Sequence, residues 1–193
     1  FDVPIYIENI RGADEIWDYD ELNAVYLSWF DIKVDKILPF KYTKNLKRIE
    51  NKRDPEIDVL VYGYMNDIRL NKLKDIYPSL YHNYSIVTTT GLNKEIQDQY
   101  IANSKIILNL HGIEPYSRQE QERIAFLLIN EKCVLSETNQ INYFGDLIVD
   151  TPLNNISNKI KELLLRDAWK EVARNGHRFY KDKSYSTYKK VEI

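Results

Sequence analysis

Apolar positions fall into two patterns along this chain, and the change comes near residue 57. From there onward, short β-rich apolar runs alternate with amphipathic stretches of helical length. The runs are Ile57–Tyr62, Tyr84–Thr89, Lys105–Leu110, Lys132–Ser136 and Leu147–Asp150. Between them, a 3.6-residue spacing of apolar side chains predicts helices over 67–76, 93–103, 119–130 and 152–165. Strand and helix in alternation call for a parallel sheet. The runs are continuously apolar rather than alternating, as strands covered on both faces are. Right-handed crossovers then fold them into an open, doubly wound, Rossmann-like α/β sheet. A last helix is expected within 166–190, charged and aromatic, with Trp169, Phe179 and Tyr180 laid back over apolar surface.

Before residue 57 charge is the stronger signal. Residues 1–31 carry eight acids against the single base Arg11, whereas residues 33–53 carry eight bases against Asp35 and Glu50. The basic stretch ends in the turn-like Arg53-Asp54-Pro55, so a linker or domain edge is expected over 45–55. The two halves cancel. Over 193 residues, 27 Lys and Arg face 29 Asp and Glu, a formal net charge of -2, which gives no global field to draw in nucleic acid. With 44% apolar residues, 15 Tyr and 3 Trp, the chain has enough apolar surface for a core. Cys133 stands alone and the three His are scattered, so neither a disulfide framework nor a Cys-rich zinc site is available, and a reduced, cytoplasmic setting fits. No apolar run approaches the roughly 20 residues that cross a bilayer. The basic, aromatic stretch 159–193 leaves a membrane-surface role open, although its five acids against ten bases weaken the field.

In a doubly wound sheet, ligands bind outside the carboxyl ends of the strands, where helix N-termini attract anions. That rule selects the loops to inspect. After the first strand comes Gly63-Tyr64-Met65-Asn66-Asp67, in which Gly63 permits close backbone approach and Asn66 or Asp67 can cap a helix. After the second comes Thr88-Thr89-Thr90-Gly91-Leu92-Asn93, whose Thr90 and Gly91 can face a base or ribose while Asn93 serves as a cap. After the third lies the long polar segment 109–123. There Ser117 and Glu120 have capping-box spacing, while Arg118 and Arg123 are placed to meet a diphosphate at the same helix start. His111, Tyr116 and the strand-ending Glu137 complete the rim. The G-x-G-x-x-G fingerprint and the Walker A lysine loop are both absent, which argues against a dinucleotide oxidoreductase and a P-loop NTPase. Each of these residues also has a plain structural reading as a cap, a turn or a buried strand end.

At these segments the sequence resembles the C-terminal, nucleotide-sugar-binding domain of GT-B glycosyltransferases. The likeness is carried by Ala13–Tyr19 (ADEIWDY), Leu38–Phe40, Asp58–Gly63, Leu108–His111, Glu120–Ile124 and Val134–Glu137. What it implies is a domain plan: residues 1–50 as the end of an N-terminal domain and its linker, 51–166 as the donor-binding domain, and 167–193 as a C-terminal helix packing back. It implies transfer of a sugar from a nucleotide-sugar donor to a glycan, lipid or protein acceptor, with no cofactor and no obligatory metal. By position, His111 and Glu120 become the catalytic candidates. Gly63, Tyr64, Asn66, Thr90, Gly91, Tyr116, Arg118, Arg123 and Glu137 become the donor-binding candidates. Gly63 and Asn66 would approach the phosphates, His111 the sugar or diphosphate, and Glu120 with Arg123 the ribose or phosphate. The family's acceptor-binding domain is N-terminal, so a further domain is expected ahead of Phe1.

One departure bears on the assignment. Relatives carry two glutamates eight positions apart. Glu114 and Glu122 have that spacing, but counting back from Cys133-Val134-Leu135 puts Phe126 at the second position. Two other classes therefore stay open: a non-catalytic Rossmann-like domain that binds a protein partner, and a small-molecule enzyme such as an epimerase or phosphatase, for which Asp67 and Glu137 are the available acids.

Overall fold

The computed structural model describes residues 3–112, 119–138 and 141–183, which fall into two compact units divided after Lys41. In the first, helices α1 (Val3–Arg11) and α2 (Glu21–Ser28) accompany a two-residue parallel ladder, β1 (Trp17–Asp18) beside β2 (Lys36–Ile37). Its core gathers Ile7, Ala24, Leu27, Ile32, Val34 and Ile37. Two of the acids that make this stretch so negative have local work: Asp20 caps α2 through Leu22 N at 2.8 Å, and Asp18 accepts from Asp20 N at the same distance.

The second unit is the doubly wound sheet. Its elements run β3 (Ile57–Tyr62), α3 (Asp67–Ile76), β4 (Ile86–Thr89), α4 (Lys94–Ala102), β5 (Ser104–Asn109), α5 (Gln121–Ile129), β6 (Cys133–Glu137), β7 (Val149–Thr151), α6 (Ile156–Leu164) and α7 (Ala168–Lys183). The strands are all parallel, in the order β4-β3-β5-β6-β7. Alternate side chains go to opposite faces. Val59, Val61, Ile106, Leu108, Cys133 and Leu135 pack with Ile76, Leu80, Ile156, Ile160, Leu163, Trp169 and Ala173. Leu60, Ile107 and Val134, one step out of register with them, are fully buried too. Burial on both faces is why the runs lack polar alternation.

Two expectations shift. Ser117 lies outside the described residues, and α5 begins only at Gln121, with Glu120 at the N-cap making no capping bond. The last helix keeps Trp169 and Tyr180 buried, but Phe179 is 46% exposed, one step off the buried stripe.

The charged stretch around residue 50 is a strap across the amino edge of the sheet. Asn130, just past α5, accepts from Arg48 N (2.8 Å) and Ile49 N (2.9 Å) and donates to the carbonyls of Leu46 (2.9 Å) and Phe126 (2.8 Å). Buried Lys132 donates to Asn51 Oδ1 (3.1 Å) and the Ser104 carbonyl (2.6 Å).

Candidate functional site

The strand order fixes where a crevice must open. The chain leaves β3 through α3 toward β4 on one side, and leaves β5 through α5 toward β6 on the other. The order reverses between β3 and β5, so the crevice lies above their carboxyl ends. The polar side chains of the rim gather there.

Helix α3 supplies one wall. Asn66 caps it by accepting from Arg69 N at 3.1 Å, and its Nδ2 donates to the Gly112 carbonyl at 2.5 Å. Arg69 and Lys72 follow at three-residue intervals and so share the Asn66 face. Arg69 Nε donates to the Leu110 carbonyl (2.8 Å) and its NH1 to the Tyr64 carbonyl (2.7 Å), while NH2 meets the Glu120 carboxylate. Lys72 lies within 2.8 and 3.0 Å of the two Glu137 oxygens and 3.3 Å from the His111 carbonyl. Thus one helical face pins the three residues that follow β5.

Helix α5 supplies the other wall. Arg123 pairs with Glu120 at 2.5 Å, lies 3.4 Å from Asn109 Oδ1, and sits over the Tyr62 ring with its guanidinium 4.9 Å from the ring centre. Gly63 makes room for it. This residue has φ +113°, and a Cβ there would stand 2.5 Å from Arg123 NH2. Burial pushes both guanidinium pKa values down, and for Arg69 repulsion from Arg123 adds to the effect. Burial also drives the Tyr62 hydroxyl up to about 12.

Gly63, Asn66, Glu120 and Arg123 therefore stand together, and so do His111 and Glu137 one layer deeper. His111 is only 2% exposed. Its Nε2 lies 2.9 Å from the Glu137 carbonyl and its amide donates to Glu137 Oε2 at 2.9 Å, while Nδ1 is buried with no hydrogen-bond partner among the described residues. Burial lowers its pKa, against the pull of Glu137, so the neutral imidazole is favoured. Glu137 is spent on Lys72 and the His111 amide rather than facing open space. Tyr64 contributes its carbonyl, and its ring is 76% exposed. Thr90 and Gly91 are exposed in the loop after β4, joined to the rim through the bond from Gly63 N to the Thr89 carbonyl (3.1 Å). Asn93 caps α4 by accepting from Ile96 N at 2.9 Å. Tyr116 and Arg118 lie outside the described residues.

Arg69 and Lys72 were missed by reasoning from the sequence, yet a signal was present. A cation in the first turn of a helix opposes its dipole, so Arg69, three residues past the cap of α3, hints at an anion nearby without saying which. Among the described residues, no group of three or more His, Cys, Asp or Glu is placed to hold a metal ion. No helix of the described residues is long and apolar enough to cross a membrane. An open groove of about 860 Å³ lies at the opposite, amino edge of the sheet, between α4 and the strap. Its guanidinium, Arg48, is already paired with both Asp98 oxygens at 2.8 and 3.2 Å.

No protein-family model matches the sequence, and no curated protein is significantly similar to it. Solved structures are similar in fold. TarM aligns with a TM-score of 0.63 at 12% identity, over 94% of this chain and 43% of TarM. A variant of S. aureus TarM in complex with fondaparinux, α-GlcNAc-glycerol and UDP gives 0.59 at 13% identity, over the same 94% and 43%. AviGT4, a glycosyltransferase involved in avilamycin A biosynthesis, gives 0.49 at 10% identity, over 90% of this chain and 65% of that one. The chain thus spans less than half the length of the TarM chain it matches. Its architecture, a five-stranded parallel sheet flanked by helices, is the Rossmann-like fold of GT-B glycosyltransferases such as TarM.

Proposed function

We propose that the crevice above β3 and β5 binds the diphosphate of a nucleotide-sugar, and that the chain acts as the donor-binding part of a glycosyltransferase. The observation that carries this reading is the convergence of Arg69 and Arg123 on one anionic position beside Gly63, at the point where strand order reverses. Two guanidinium groups in fixed orientations match a diphosphate, and partial burial strengthens each charge-assisted bond. The bond broken in sugar transfer leaves its electron pair on the diphosphate. Cations waiting where that charge develops stabilise the transition state without reorganising. Arg69 is well suited, because two backbone carbonyls hold it in place whether or not a ligand is present. His111, buried and biased toward the neutral form, acts from behind the rim by fixing the chain between β5 and Glu137. The acceptor, a glycan, lipid or protein, would approach the sugar from outside this sheet.

UDP is the first nucleotide to try, since it occupies a TarM structure of the same fold. Calorimetric titration with UDP, GDP and ADP should give measurable heat for at least one. Arg69→Ala or Arg123→Ala should weaken that binding by about tenfold or more. No heat from any nucleoside diphosphate, or full affinity retained in both folded variants, overturns the reading in favour of a protein-interaction domain.

A further inference from the structure

We infer that Glu120 is a built-in counter-anion that occupies the diphosphate position in the empty protein and must swing aside for the ligand; this rests on the donor-binding reading above. Charge among the described residues of the rim separates into two groups. Lys72 and Glu137 form one group, with both carboxylate oxygens on one ammonium and the His111 amide on the same carboxylate. Arg69 and Arg123 remain, and they share the single carboxylate of Glu120, one oxygen to each. Among the described residues, two cations thus share the one carboxylate that pairs with them.

The members of this trio are not held equally. Arg69 is fixed by the Leu110 and Tyr64 carbonyls, and Arg123 lies over Tyr62 with Asn109 beside it. Both guanidinium groups would stay in position if the carboxylate left. Among the described residues, Glu120 meets only these two partners. It sits at the N-cap of α5 without capping it, and its side chain is 28% exposed against 8% for Arg69 and 19% for Arg123. The carboxylate is therefore the movable part. A diphosphate and Glu120 cannot both lie between the guanidinium groups, because like charges at contact distance repel strongly in a partly buried site. Binding is an exchange of one anion for another, and product release is helped by the return of the resident one.

Exchange predicts an effect opposite in sign to that of a ribose-binding carboxylate. Glu120→Gln keeps the size of the side chain and removes its charge. Inorganic pyrophosphate, which has no ribose, should bind this variant about tenfold more tightly than wild type, the effect of one competing charge at such a site. UDP should tighten as well, and adding Arg123→Ala to Glu120→Gln should abolish the gain. Circular dichroism melts establish that the variants are folded, and Glu120→Ala, which cannot hydrogen-bond to either guanidinium, should give the same sign. Pyrophosphate affinity unchanged or weakened in both variants, while wild type binds UDP, overturns the exchange and leaves donor binding standing. Weaker UDP binding with unchanged pyrophosphate assigns Glu120 to the ribose instead. Binding of neither probe to wild type or to any variant removes both readings together.

Discussion

At the scale of single residues, close approach and burial decide what each position tolerates. Gly63 has φ +113° and faces Arg123 across a gap that a Cβ would reduce to 2.5 Å. Gly63→Ala should therefore cost about 1–3 kcal/mol of stability through backbone strain. It should also push Arg123 off its anionic position, so that nucleotide affinity falls with the melting midpoint, which calorimetry on the folded variant would record. Lys132 provides a second test. Burial lowers its pKa from 10.5 to about 8, so between those values the unfolded chain binds more protons and stability rises with pH. Below about 8 the folded protein carries the full cost of the buried charge. Lys132→Met removes this dependence: the gap in unfolding free energy between wild type and variant, read from denaturant melts, should widen in favour of wild type from pH 8 to 10, at up to about 1.4 kcal/mol per pH unit. A gap that stays flat over this range would contradict the lowered pKa.

At the scale of elements, helix α7 offers a case where general propensity gives the wrong sign. Replacing a mid-helix glycine by alanine ordinarily stabilises by about 1 kcal/mol. Here a Cβ on Gly176 would stand 2.6 Å from the Leu147 carbonyl oxygen and 2.9 Å from Leu128 Cδ2. Gly176→Ala should instead destabilise by about 1–3 kcal/mol, because backbone cannot turn away as a side chain can. A denaturant midpoint at or above that of wild type would show that the helix can shift. Elements were the part of the structure most legible in the sequence. Ile57–Tyr62 is the strand its apolar run predicts, and Asp67–Ile76 is the helix its spacing predicts, because burial on two faces and a 3.6-residue stripe each leave a local trace. The start of α5 was misplaced because Ser117 and Glu120 have the spacing of a capping box, whereas Glu120 is drawn to Arg69, a residue 51 positions away in sequence. The candidate rim was legible in outline for the same reason. Loops after strands can be read from order alone, which singles out Gly63 and Asn66, and the helix start that follows β5 singles out Arg123. The partnerships of Arg69 and Lys72 depend on a crossover that brings α3 against the end of β5, and no local pattern records that.

At the scale of the whole molecule, the site is coupled to global stability through linkage. A ligand that binds only the folded chain stabilises it by about 2.7 kcal/mol at a hundred times its dissociation constant. For a chain of this size each kcal/mol moves the midpoint by about 2–4 °C. UDP at such a concentration should thus raise the melting temperature by about 5–10 °C in wild type, and by nothing measurable when Arg69 and Arg123 are both replaced by Ala. The outline of the sheet has a separate consequence. Its inner strands β3, β5 and β6 run for 6, 6 and 5 residues, while the outer strands β4 and β7 run for 4 and 3. A taper of this kind offers a visiting strand only a few rungs on which to build, and short borders are one way natural sheets avoid growing into one another. The crevice opens above β3 and β5, and both are inner strands with a hydrogen-bonded neighbour on either side, so neither of the strands beneath it is itself a free border.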